Sequence, residues 1–248
     1  MAPSFPEDAT VHSDRVRLGV VVPSSNTTVE SEFEHWTPPT ASVHAARMPL
    51  VGVTVEELDA MADDAVAAAK RLAHAEIDAI AYACTTGSLI HGHGFDADLE
   101  RRLSEVSDAP AVATALSVRR LLDALDVTRI AVATPYIDEL NEREQVYLTD
   151  AGFDVVHLDG RGLEQNTEIG RLTPTDAATQ ARDTLAIAGD IDALFVSCTN
   201  YPTLAAIDEI QQSSIGEDVP VVTSNLATLW DLCRVTALDT ASLPGTLP

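Results

Sequence analysis

Lysine is all but missing from this 248-residue chain: Lys70 stands alone beside fourteen arginines, against 39 acidic residues and a formal net charge of −24. Such a field repels polyanions, so neither nucleic acid nor an anionic membrane surface is expected as a partner. The acid load suits a well-solvated surface or, more sharply, a salt-loving host, where carboxylates hold water and salt screens their repulsion. Long apolar runs are lacking too. Val20 to Val22 and Ala79 to Ala83 are strand-sized and too short to span a bilayer. Residues 1–14 have no basic start followed by an apolar core, and they read as a loose tail rather than a secretory signal. Cysteine occurs three times, as Cys84, Cys198 and Cys233, an odd number at wide spacing. That argues against a disulfide framework or metal cluster and for a reducing compartment, so a cytoplasmic location is expected. Hydrophobic residues, at 46%, are plentiful enough for a core without staples.

Short β-like runs alternate with longer stretches of helical spacing, which predicts α/β architecture with largely parallel sheets. Arg17 to Val22 and Arg129 to Thr134 read as strands ending at a proline, and Ala79 to Ala83 and Ala193 to Ser197 as strands ending at a cysteine. Glu56 to Ala75 is an Ala-rich helix with acids first and Lys70 and Arg71 near its end, as the helix dipole prefers. Thr175 to Ala188 fills the same slot later.

These elements repeat in order. Arg17–Pro23 matches Arg129–Pro135 at an offset of 112 residues, Asp78–Thr85 matches Asp192–Thr199 at 114, and Ala109–Thr114 matches Val219–Ser224 at 110. The duplication predicts two pseudo-symmetric lobes, each a mostly parallel sheet flanked by helices, with the strand ends facing one shared cleft. Residues 15–126 form the expected N-terminal lobe and 127–236 the C-terminal lobe, with the chain crossing between lobes near its end and residues 237–248 as a tail.

Cys84-Thr85-Thr86-Gly87-Ser88 and Cys198-Thr199-Asn200-Tyr201-Pro202 each follow an apolar strand. A strand-to-helix turn there offers unpaired N–H groups, which lower a thiol pKa and bind carboxylate. A single free cysteine is usually a small core residue. Equivalent positions in a repeat argue instead that Cys84 and Cys198 share a site. Cys233 has no such counterpart, sits in an apparent buried helix from Leu229 to Val235, and reads as structural. Two thiols on opposite sides of a planar carbon suit either racemisation, with one removing and the other returning a proton, or cis-trans isomerisation through thiolate addition to an alkene. Neither reaction needs a cofactor. His91-Gly92-His93 lacks a third ligand at sensible spacing, so no metal site is expected.

Pro23-Ser24-Ser25-Asn26-Thr27-Thr28-Val29-Glu30, the Cys84 turn and Ser197-Cys198-Thr199-Asn200 together resemble maleate cis-trans isomerases. These belong to the superfamily that holds aspartate, glutamate and hydantoin racemases and arylmalonate decarboxylase. The likeness runs from about Arg17 to Arg234. It implies the aspartate/glutamate racemase-like fold, a homodimer or larger homo-oligomer, and a small carboxylate or dicarboxylate substrate. It also implies that Cys84 attacks the alkene to give a succinyl-cysteine and that Cys198 handles the proton. By the same resemblance Asn26, Tyr136 and Asn166 line the site, and donors from Thr85, Thr86, Ser88, Ser197 and Thr199 complete the carboxylate pockets. Each has a plainer reading: Asn26 as a helix cap, Tyr136 as a packing residue, Asn166 as a turn residue.

The relatives divide on two positions. Arylmalonate decarboxylases lack the first cysteine, and glutamate racemases carry histidine where this chain has Asn200. The leading expectation is isomerisation of maleate or a similar cis-enedioic acid to fumarate, with an amino-acid or hydantoin racemase as the alternative and a non-catalytic organic-acid-binding protein behind both.

Overall fold

The computed structural model describes residues 15–212 and 219–248. The tail read for residues 1–14 lies outside them. The first half runs β1 (Val16–Pro23), α1 (Val29–Trp36), β2 (Ala41–Met48), α2 (Val55–Ala73), β3 (Ala79–Tyr82), α3 (Thr85–Leu89), α4 (Phe95–Ser107), β4 (Ala111–Ala113) and α5 (Thr114–Ala124). The second runs β5 (Arg129–Thr134), α6 (Asp138–Asp150), β6 (Asp154–Gly160), α7 (Asn166–Ile169), α8 (Pro174–Ala188) and β7 (Ala193–Val196). A 3-10 turn (Leu204–Ala206), α9 (Ile207–Gln211), β8 (Val221–Thr223) and α10 (Ser224–Thr236) complete it.

Two four-stranded sheets result, ordered β2-β1-β3-β4 and β6-β5-β7-β8, with every pairing parallel. The same order in both sheets is the duplication seen in the sequence. Central strands β3 and β7 are buried throughout, as parallel strands covered on both faces must be. Helix α2 starts at Thr54, whose side chain accepts from the Glu57 N–H, and α8 starts with a full capping box between Thr173 and Asp176 behind Pro174.

Helix α10 leaves the second sheet after β8 and packs on α5, β3 and β4 of the first half. Asp231, fully buried on α10, accepts from Ser117 and Arg120 of α5 at 2.9 and 2.8 Å and from Arg234. Cys233, on the same helix, is fully buried. Residues 237–248 carry no helix or strand, yet Leu243 is buried and Leu238 and Leu247 pack against the core. Among the described residues no helix is long and apolar enough to cross a membrane.

Candidate active site

Strands β1, β3, β5 and β7 all end at the junction of the two sheets, and the loops that follow build a small, tight pocket. Its walls are Pro23, Asn26, Leu50, Val53, Cys84, Thr85, Thr86, Tyr136, Asn166, Cys198 and Thr199. Eight of the ten residues singled out from the sequence therefore meet at one place. The other two, Ser88 and Ser197, are not on the wall. Ser88 donates to the Thr85 carbonyl and accepts from the Ala115 N–H, which ties α3 to α5. Ser197 donates to Glu144 Oε1 at 2.6 Å.

The two cysteines arrive differently. Cys84 is extended, at φ −149°, and caps the short helix α3. Gly87 lets that helix close over it: a β-carbon there would stand 2.6 Å from the Tyr82 hydroxyl and 3.1 Å from the Cys84 sulfur. The Gly87 N–H and the Thr86 hydroxyl both bond the Cys84 sulfur. Cys198 is followed by a turn rather than the expected helix, and its φ is +97°, a conformation that side chains with a β-carbon rarely adopt. Ser224 Oγ accepts from its backbone N–H at 3.0 Å and from Thr85 Oγ1 at 2.8 Å, which joins the two cysteine loops. The Tyr136 hydroxyl and the Asn200 N–H bond the Cys198 sulfur.

The lowered thiol pKa values expected from a strand-to-helix turn are not found. Burial pushes Cys84 up to about 11 and Cys198 up to about 12, against smaller opposing hydrogen bonds. Both sulfurs lie in the closed cavity with only 5% of each residue exposed, and desolvation of the thiolate outweighs the few N–H and O–H donors that reach it.

Asn26 is both a cap and a wall residue. Its Oδ1 accepts from the Thr28 and Val29 N–H groups at the start of α1, while its Nδ2 donates to Thr199 Oγ1 at 3.3 Å. Asn166 donates to Ser25 Oγ at 2.8 Å. Asn200, set aside in sequence as a mere difference from racemases, accepts from the Thr27 N–H and donates to both Asn166 oxygens, so it ties together the loops after β1, β7 and before α7. Residues 51–53 and 164–166 add a main-chain clasp: Val53 N–H to Glu164 O at 2.8 Å and Asn166 N–H to Val51 O at 3.3 Å. His91 and His93 take no part in the cavity. His93 stacks on Tyr147 and bonds its carbonyl, and His91 packs edge-on to Phe95.

Glu144 and Ser224 escaped the sequence reading. Glu144 is one of several carboxylates on the polar helix α6, and only burial distinguishes it; Ser224 closes the third duplicated segment, which was the available signal.

No lining residue is cationic. A small anion would be held by neutral donors: the Asn26 and Asn166 amides, the Thr86 and Tyr136 hydroxyls, and backbone N–H groups. A family model described as arylmalonate decarboxylase matches residues 18–246. The chain belongs to that family. Curated relatives match it over most of its length. The Nocardia farcinica maleate isomerase is 32% identical over 92% of this chain and 93% of its own, and the Bordetella bronchiseptica arylmalonate decarboxylase is 29% identical over 92% and 93%. In structure, a cysteine-to-serine mutant of the Nocardia farcinica maleate cis-trans isomerase, holding a covalently bound succinylcysteine intermediate, superposes with a TM-score of 0.85 at 28% identity. That match covers 93% of this chain and 96% of the other. The relatives thus carry two names, maleate isomerase and arylmalonate decarboxylase, and the resemblance to maleate isomerases extends over nearly the whole folded chain.

Proposed function

We propose that this family member is a cis-trans isomerase that converts maleate, or a similar cis-enedioate, into fumarate through a covalent adduct on Cys84. The observation that carries the reading is the pair of thiols, Cys84 and Cys198, on one small cavity walled by neutral hydrogen-bond donors. The Cys84 thiolate adds to one alkene carbon as the Cys198 thiol gives its proton to the neighbouring carbon, so the double bond becomes a single bond free to rotate. After rotation the Cys198 thiolate takes a proton back from that carbon and Cys84 leaves as thiolate. Protons and electrons balance over the cycle, and no oxidant or reductant enters.

With burial pushing Cys84 up to about 11, only a small minority of sites hold it as thiolate at pH 7. An electron-poor alkene suits such a scarce nucleophile. Abstraction of the weakly acidic α-proton of an amino acid asks more of a base, and Asn200 offers none because a carboxamide does not take up a proton near neutral pH. These facts favour the isomerase over the racemase.

Proton NMR with maleate is the test. Fumarate is expected from the wild-type enzyme and from Cys233→Ala, and none from Cys84→Ala. Cys198→Ser is expected to gain the mass of one substrate molecule on Cys84. If no enedioic acid is converted while an amino acid or a hydantoin exchanges its α-proton in heavy water, the racemase reading replaces this one.

A further inference from the structure

The polarity of one wall of the pocket is decided by a residue that forms no part of it. Asn200 is 1% exposed and lies behind Asn166, which lines the pocket. Main-chain groups at both ends settle which way its amide points. The Thr27 N–H can only donate, and it meets Asn200 Oδ1 at 2.9 Å; the Asn166 carbonyl can only accept, and it meets Asn200 Nδ2 at 2.7 Å. A bond from the Thr28 hydroxyl to the Asn200 carbonyl, at 2.8 Å, holds the backbone beside it. Gly170 lets α7 come this close, since a β-carbon there would stand 3.0 Å from Asn200 Nδ2 and 2.6 Å from Thr27 Oγ1.

The same Nδ2 also donates to Asn166 Oδ1 at 3.1 Å. That contact fixes the second amide, because Asn200 Nδ2 has no lone pair to offer and only the oxygen of Asn166 can face it. Asn166 Nδ2 is turned the other way. One of its N–H bonds goes to Ser25 Oγ at 2.8 Å, and the second is left for the pocket. The Ser25 hydroxyl rotates to donate or accept with equal ease, so it follows the orientation rather than choosing it. Asn26 is set in the same sense: the Thr28 and Val29 N–H groups hold its Oδ1, and its Nδ2 donates to Thr199.

We infer that Asn200 is a specificity-determining residue, which acts through Asn166 to keep an N–H donor on the wall and so selects a carboxylate over a carboxamide at that end of the substrate. The inference rests on the isomerase reading for the identity of the substrate. A carboxylate offers only lone pairs to the donor. In the isosteric carboxamide one oxygen is replaced by NH2, which leaves a donor facing donors. Maleamate, the monoamide of maleate, keeps the alkene and the shape and so isolates that one difference. Asn200 touches no substrate and is a positioning residue.

The test gives the enzyme equal amounts of maleate and maleamate and follows both by proton NMR, so that their relative consumption reads the ratio of kcat/KM. The wild-type enzyme is expected to prefer maleate about a hundredfold. In Asn200→Asp the new side chain still accepts from Thr27 and, as the neutral acid, gives its single proton to the Asn166 carbonyl. Only lone pairs then face the Asn166 side chain, and that amide turns over. The preference is expected to fall to about tenfold or less; an unchanged ratio overturns the inference. Ser25→Ala, which disturbs no bond of Asn200, decides the matter if Asn200→Asp does not fold. It is expected to keep the wild-type preference, and a lost preference there gives the choice to Ser25 and overturns the inference equally. A second arm needs no substrate. A nuclear Overhauser contact between the Asn166 side-chain N–H protons and the Ser25 β-protons is expected in the wild-type protein and lost in Asn200→Asp. A contact that persists refutes the role of Asn200 even if maleate is turned over. Its loss upholds that role even if neither acid is turned over, and the isomerase reading alone then fails.

Discussion

At Cys198 the main chain is held at φ +97° by the Ser224 hydroxyl and the crowded loop before Tyr201, whereas Cys84 sits in ordinary extended backbone. Holding a β-carbon there costs of order 1–3 kcal/mol, and what it obtains is the direction of one sulfur. Glycine is indifferent to that conformation. Cys198→Gly is therefore expected to be less destabilising than Cys84→Gly by about 1 kcal/mol, although both lose the thiol; urea unfolding of the two variants checks this, and equal stability would remove the strain. At the wall, Cys84 and Cys198 were readable because each follows a duplicated strand, whereas Asn26, Tyr136 and Asn166 were legible only through the resemblance to maleate isomerases. Their electrostatics were not: an N-terminal turn suggests an acidic thiol, but enclosure of both sulfurs reverses the sign, and enclosure is a property of the assembled loops. Ser88 and Ser197 show the same limit, since nothing in their neighbours along the chain says whether a hydroxyl turns toward a cavity or toward Ala115 and Glu144.

Among the elements, the strands lie within one residue of where alternation and the closing prolines and cysteines put them, because a strand buried on both faces is a short apolar run with abrupt ends. Edge strands β2 and β6 went unread; Ala41–Met48 and Asp154–Gly160 mix histidine and charged residues with apolar ones and carry no clear period. Helix α10 was readable as buried, but not the neighbour that buries it. Its junction with α5 turns on Asp231, which keeps Arg234 and Ser117 if Arg120 is removed. Arg120→Ala is accordingly expected to cost about 2 kcal/mol, below the full penalty for an orphaned buried charge, as a fall in the urea midpoint with activity per folded molecule retained. A loss under 0.5 kcal/mol would show that the pair contributes little to joining the halves.

Across the whole molecule the acidic excess outweighs what ion pairing can neutralise. Pairs such as Arg101–Asp98, Arg102–Asp63 and Arg182–Glu209 have at least one well-exposed partner and each is worth little, so the unpaired carboxylates dominate the field. Screening lengths shrink from about 10 Å at 0.1 M salt to about 3 Å at 1 M, and the melting temperature is expected to climb over that range. An unchanged melting temperature would leave the charge as a matter of solubility alone.

The clasp between residues 51–53 and 164–166 has a further consequence for access. Leu50, Val53 and Asn166 are at once parts of the clasp region and walls of the cavity, and Asn166 is also anchored by Asn200. Whatever parts the clasp to admit a molecule also dismantles the room in which it would react. On the proposed isomerase reading, an adduct on Cys84 would sit behind this clasp, and its release would require the clasp to part.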